Sequence, residues 1–264
     1  MVSALLDGRK TQTRRVLKPQ PGAGATHFRS GTGRHIWDWP GLGIGSDDGR
    51  ELPRIPFVKG DLLYVRECWR TMANWDDQSP SDLMASNALW PGHEVAPLPR
   101  RYDADGFETG VIREENYPFE MGRLRAAMHM PKRLSRLTLK VTDVRVERVK
   151  RISEADARAE GLAAISKDGK LFKFGIPDRD GYPGNDDCGW HWADWEADPR
   201  GAFRKLWDSI NAPRGFGWEE NPWVVAISFD VIRANVDQLP GPQAKAEDTE
   251  RERSEATTTT RTGQ

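Results

Sequence analysis

The stretch Leu137-Thr138-Leu139-Lys140-Val141-Thr142-Asp143-Val144-Arg145-Val146 decides the fold class. Leu137, Leu139 and Val141 alternate with polar residues, as one buried face of a β-strand requires. Val144 and Val146 continue the alternation on the opposite parity. A slip of one residue turns the apolar set outward unless the strand carries an extra residue, so a bulge is expected near Thr142-Asp143. Bulges bend a strand and raise its twist, and a long strand bent in this way suits a small, sharply curved barrel. A second stretch, Trp223-Val224-Val225-Ala226-Ile227-Ser228-Phe229-Asp230, alternates in the same way and reads as a central strand.

Other elements follow outward from these two. Ser153-Glu154-Ala155-Asp156 is a capping signature that opens a helix running to Gly161. Phe203, Leu206, Trp207 and Ile210 fall at i, i+3, i+4 and i+7, which predicts an amphipathic helix ending at Asn211. Residues 2–7 read as a short helix closed by Gly8, residues 11–17 as extended chain, and residues 62–69 as a strand after the turn at Lys59-Gly60-Asp61. Segments 19–56, 70–120 and 163–198 are rich in Gly and Pro with no clear period, and are expected to be irregular. Beyond Val236 the chain is too polar to build a core, so residues 236–264 are expected to be a disordered tail. The sum is an α+β chain. One domain over residues 1–235 forms a small curved β-barrel with peripheral helices and three long irregular insertions.

Composition sets limits. Only 37% of the 264 residues are hydrophobic, but eleven tryptophans supply large apolar surfaces for packing. A net charge of −1 does not mark a nucleic-acid binder. The stretch from Met121 to Arg151 is nonetheless strongly basic, with Arg133, Arg136 and Arg148 as candidate phosphate contacts. An exposed strand with a basic outer side has the same appearance. Two cysteines make no disulfide framework, the start lacks the charged and apolar regions of a signal peptide, and no apolar run approaches a membrane span. A cytoplasmic protein with no membrane contact is expected. Cys188-x-x-His191 is a single ligand pair where structural zinc takes four ligands, so neither a metal nor a cofactor is implied.

The densest chemistry lies in Asp7-Gly8-Arg9-Lys10-Thr11-Gln12-Thr13-Arg14-Arg15. Four cations and two hydroxyls fall within the seven residues after Gly8. Guanidinium forks and an ammonium suit an anion or a polarised carbonyl. Arg9 and Arg15 are candidate substrate contacts, and a solvated basic turn is the plainer alternative.

Four motifs in register then resemble the ASCH domain family. They are Gly8-Arg9-Lys10-Thr11-x-Thr13-x-Arg15, Gly60-Asp61-x-x-x-Val65-Arg66-Glu67, Asp156-Ala157-x-x-Glu160-Gly161 and Asn221-Pro222-Trp223-Val224-x-x-Ile227-x-Phe229. The resemblance covers about half the chain. It implies a PUA-like barrel related to RNA-binding modules, in the longer form found in bacteriophages and prophages, and hence a bacterial host cell. One branch of the family contains small amidohydrolases that cleave acetylcytidine with a Lys, a Thr and a Glu. Carried over, those roles fall on Lys10, Thr13 and Glu160. Arg66 and Glu67, at the end of the second motif, join Arg9 and Arg15 as substrate contacts.

That trio makes chemical sense. Amide hydrolysis needs a nucleophile, a proton acceptor and a group to steady the developing charge. A threonine hydroxyl is inert near neutrality without a base, and Lys10 serves as one if burial and the neighbouring arginines lower its pKa. Glu160 would orient the amine or protonate the leaving group. Positions 10 and 13 point to opposite faces of a regular strand, however, so convergence requires a turn or bulge between them. The leading expectation is a hydrolase acting on an N-acylated nucleobase or nucleoside. A non-catalytic module for RNA or modified bases and an RNA-cleaving enzyme are the alternatives.

Overall fold

The computed structural model describes residues 1–22, 24–29, 35–39, 43–44, 55–86, 100–105, 108–109, 120–178, 180–184 and 189–239. Its first half carries α1 (Val2–Leu6), β1 (Gln12–Val16), β2 (Thr26–Arg29), β3 (His35–Trp39), β4 (Gly43–Ile44), β5 (Leu62–Tyr64), β6 (Trp69–Arg70), α2 (Pro80–Ser86), β7 (Arg100–Tyr102) and β8 (Glu108–Thr109). The second half carries β9 (Thr138–Arg148), α3 (Glu154–Ala159), β10 (Ala163–Ser166), β11 (Phe172–Gly175), α4 (Pro199–Asn211) and β12 (Trp223–Ile232).

The main sheet is antiparallel in the order β1-β12-β9-β5, so β9 and β12 are its two inner strands. Their pairing runs Ser228 to Asp143 and then Phe229 to Val141, which leaves Thr142 as the extra residue. The bulge therefore sits where the parity slip places it. It lets Val141 and Val144, each 1% exposed, enter the same core. The resulting sheet curls into an open half-barrel with few helices around it.

The two faces of this sheet bury different things. One covers an apolar core of Leu5, Leu17, Val144, Val225, Ile227 and Phe229, closed by the short helix α1. The other receives α3 and α4 through Ala157, Phe203, Trp207 and Val224. α4 begins at Asp198, whose carboxylate accepts from Arg200 N and Gly201 N, with Pro199 preset for the first turn. α3 begins at Ser153, whose hydroxyl accepts from Asp156 N, as its capping signature indicates.

The three segments expected to be irregular each carry a small antiparallel sheet. These are β2-β3-β4, β6-β7-β8 and β10-β11. Their strands are two to five residues long, too short to show a period in a Gly- and Pro-rich sequence. The middle segment has its own core, built by Trp69, Leu83, Tyr102, Met130 and Leu134. The strand expected over residues 62–69 is also shorter, because the chain leaves the main sheet after Val65 N bonds Leu137 O. The polar segment expected to be disordered from Val236 keeps its first residues on the body. Val236–Gln238 forms a 3-10 turn capped by Asn235, and Lys132 pairs with Asp237. Residues 240–264 lie outside the described residues. Among the described residues, no helix is long and apolar enough to cross a membrane.

Candidate functional site

The site is built where the end of α3 meets the chain entering β1. α1 stops at Gly8, which adopts φ +72°. The backbone then returns, with Lys10 N donating to Ala4 O and Thr11 N to Ala159 O. Lys10 and Glu160 face each other across an isolated antiparallel bridge. Gly161 makes that approach possible. It holds φ +104°, and a Cβ there would lie 3.0 Å from Lys10 Cβ and 3.2 Å from Ala4 Cβ. The Glu160-Gly161 pair thus combines a carboxylate with the one residue type that lets β1 pass so closely.

Lys10 is 6% exposed and Glu160 7%. Lys10 Nζ donates to Glu160 Oε2 at 2.9 Å, to Glu160 O at 2.7 Å and to Gln12 O at 2.9 Å. The other oxygen, Glu160 Oε1, accepts from Arg14 at 3.1 Å. Arg14, with no exposed side-chain surface, also reaches Glu147 at 2.8 Å and Asp156 at 3.2 Å. Gln12 completes the set, accepting from Arg14 at 2.6 Å and donating to Asp156 and Ser228. Arg145 approaches Asp156 from the outside at 3.2 Å. Lys10, Arg14 and Arg145 thus face Glu147, Asp156 and Glu160, a balanced network largely shut off from water.

Two of these groups are displaced in their titration. Burial pushes the Lys10 amine below its ordinary value, Glu160 pulls it back up in part, and Arg15 and Arg14 push it down again. Burial acts to raise the Asp156 carboxyl, but Arg145 and Arg14, with hydrogen bonds from Gln12 and Arg145, outweigh it and hold the group below its usual range.

Thr13 does not join the pair. Within β1 it alternates with Gln12 and Arg14, and its register partner is Ile227 of the apolar core. Its hydroxyl accepts from Arg15 at 2.8 Å. The strand stays regular through this point, so the turn or bulge that convergence needs is missing from Gln12–Val16. Arg9 is committed to Asp7 and the Gly161 carbonyl. Arg15 is exposed and has no carboxylate partner among the described residues.

Arg66 and Glu67 lie elsewhere and do not pair with each other. Arg66 donates to Tyr64 Oη and Met128 O at the surface. Glu67, 2% exposed, takes a two-pronged bond from Arg136, at 2.9 Å to each oxygen. Arg136 also holds Asp105 and stacks over Tyr102 at 4.2 Å. Burial opposes its charge, but Glu67 and Asp105 outweigh that and keep it protonated beyond its ordinary range.

The basic stretch is thus divided, with Arg125, Arg136 and Arg148 used by the fold and Arg123, Arg133, Lys140 and Arg151 exposed. Arg148 lies 4.5 Å over the Trp223 ring and donates to Asn221 O, Arg125 is buried over Trp69, and Lys150 pairs with Glu219. Of the three phosphate candidates only Arg133 is exposed with no bond among the described residues. The tryptophan group anchors its own segment. Trp195 is 2% exposed, donates to Trp190 O and packs where a Cβ on Gly175 would come within 2.5 Å of its ring. Cys188, of the single ligand pair, lies outside the described residues, and no cluster able to hold a metal occurs among those described.

Sequence reasoning did not assign roles to Gln12, Glu147 or Asp156. The signals were available: Gln12 and Arg14 share the parity of Lys10, and Asp156 precedes Glu160 by one helical turn. No family model matches the chain, and no curated protein or solved structure matches it.

Proposed function

We propose that this chain is a nucleotide-directed hydrolase that removes an acyl group from the exocyclic nitrogen of a nucleobase, on a PUA-like scaffold of the ASCH type. The observation that carries the reading is the contact of Lys10 Nζ with Glu160 Oε2 at 2.9 Å, between side chains 150 positions apart and each less than a tenth exposed. A desolvated amine beside a carboxylate is a proton-handling pair, and perturbed titration in a buried site is a mark of chemistry. The motif resemblance independently names the same two residue types at the same two positions.

In this reading, entry of substrate displaces one acceptor from the Lys10 amine, which must then lose a proton. Thr13 Oγ1 is engaged by Arg15, so the attacking oxygen is assigned to water. Lys10 takes a proton as water adds to the acyl carbon. The carbon–nitrogen bond then breaks, the amine nitrogen leaves with that proton, and a carboxylic acid and a free exocyclic amine result. Glu160 holds the ammonium in line throughout, and Arg14 keeps Glu160 from turning away.

A second reading has its own observation. All three protons of a Lys10 ammonium have acceptors, and both Glu160 oxygens have donors. A fully satisfied pair also serves as a clasp, leaving a protein that binds a modified base without turnover. Incubation with a panel of N-acylated cytidines, followed by chromatography, separates the two. The hydrolase reading expects turnover by the wild type and none by a folded Lys10→Met variant. No turnover on any member, with binding retained, leaves the binder.

A further inference from the structure

Just beyond Glu160 the chain enters the β10–β11 hairpin, whose first residue, Ala163, is the third after it. The outer side of this hairpin holds a hollow of about 340 Å³. Phe172 and Leu171 line it openly, Phe174 lies buried beneath at 4% exposure, and Arg158 from the last turn of α3 and Lys170 from the hairpin turn complete the lining. Arg158 lies 4.8 Å over the Phe174 ring. Lys167 and Lys173 stand behind, 4.9 and 4.7 Å from the Trp192 ring. Leu171 is 78% exposed and Phe172 46%, so the apolar surface faces water.

Two cations meet at this one hollow without a carboxylate to neutralise them, since among the described residues neither Arg158 nor Lys170 has an acidic partner. The nearest carboxylate in the turn, Asp168, is spent on Lys170 N, Leu171 N and Ser166 Oγ. An exposed aromatic ring, Phe172, beside the Arg158 guanidinium plane and the Lys170 ammonium fits a planar ring that carries an anionic group. A nucleotide has both parts, since bases stack on aromatic and guanidinium planes while the phosphate meets the cations. A free nucleoside lacks the anion.

We infer that this hollow holds a nucleotide flanking the target base, and hence that the substrate is a single-stranded polynucleotide. The inference rests on the hydrolase reading for the identity of the target, and on the hairpin alone for the strand. It moves the nucleic-acid surface away from Arg136 and Arg148, which the fold uses internally, onto residues it leaves open.

The test is fluorescence anisotropy of the full chain with a labelled, unacylated RNA of about 12 nucleotides, within the length such a surface covers. Binding should weaken about tenfold or more in the double variant Lys170→Ala/Phe172→Ala. It should lose about 0.7 of its logarithmic salt slope in Arg158→Ala, for one phosphate contact removed. Lys59→Ala, in the exposed turn before β5, should bind as the wild type does. Unchanged binding in the hairpin variants overturns the inference, and so does absence of RNA binding at low salt. Flotation with phosphatidylserine vesicles covers the other use of an exposed Leu171 with lysines around it. Vesicle binding lost in Leu171→Ser, with no RNA binding, also overturns it. Turnover of an RNA of the same length carrying one N-acylated cytidine, and of free acylated cytidine, is followed in parallel. Turnover without strand binding refutes the hairpin role alone, and hairpin-dependent strand binding without turnover refutes the hydrolase alone.

Discussion

Two buried acid–base clusters answer two of the motifs, and they are built differently. At the exit of β5, Glu67 and Arg136 close on each other in a two-pronged pair, with Asp105 and the Tyr102 ring taking what remains of the guanidinium. Glu67 and Asp105 hold Arg136 firmly in its charged form. At the junction of β1 and α3, Arg14 plays the same anchoring part, but the network includes a lysine whose amine burial pushes down while Glu160 resists. An arginine pair fixes geometry, because a guanidinium does not deprotonate. A lysine in the same setting is poised to exchange a proton. The contrast separates a structural clasp from a site able to do chemistry, although a sequence shows both simply as cations near acids.

The largest effect that tests this contrast is on stability. Arg14→Ala leaves Glu147 without its cation and takes one of two cations from each of Asp156 and Glu160, and should cost about 3–5 kcal/mol in denaturant unfolding. Glu67→Ala takes the buried carboxylate from Arg136 while the more exposed Asp105 remains, and about 3 kcal/mol is expected. A loss much larger than that for Arg14 would reverse the ranking of the two clusters. Gly161→Ala forces a positive φ and a clash with Lys10, for about 1–3 kcal/mol, and should lower any turnover because it moves the amine. Ser153→Ala removes only the cap of α3, about 1 kcal/mol, and should leave the pair in place.

A pH effect sharpens the same comparison. The folded-state pKa of Lys10 lies below its unfolded value of 10.5, so between the two the unfolded chain binds the extra proton. The penalty is complete below the folded value, and stability rises with pH across that window. Lys10→Met should flatten the rise. Asp156 gives a rise of the same sign, but in acid. Its folded pKa lies below 3.8, so its contribution is present above that pH and is lost as acid carries it through the folded value. Asp156→Asn should make acid unfolding shallower.

The parity slip at Thr142 was legible because a bulge leaves its mark within one strand, in consecutive residues. The cap at Ser153 and the amphipathic α4 were legible for the same local reason. Glu67 was not assigned its partner, since Arg136 lies 69 residues on and nothing in the chain fixes that choice. The small sheets escaped because strands such as Trp69–Arg70 are too short to carry an alternation, and their partners lie some thirty residues away. Lys10 and Glu160 were reached only through the family resemblance. The separation of Thr13 from Lys10 was foreseeable from strand parity, which the regular geometry of β1 then obeys.

The most direct test is a titration of Lys10 in the full chain, with carbon-13 at lysine Cε and assignment by comparison with Lys10→Met. The account expects this one signal to titrate below the ordinary lysine value of 10.5. A Lys10 midpoint at or above that value would contradict it. The amine would then be a fixed cation like Arg136, and the junction of β1 and α3 a clasp and nothing more.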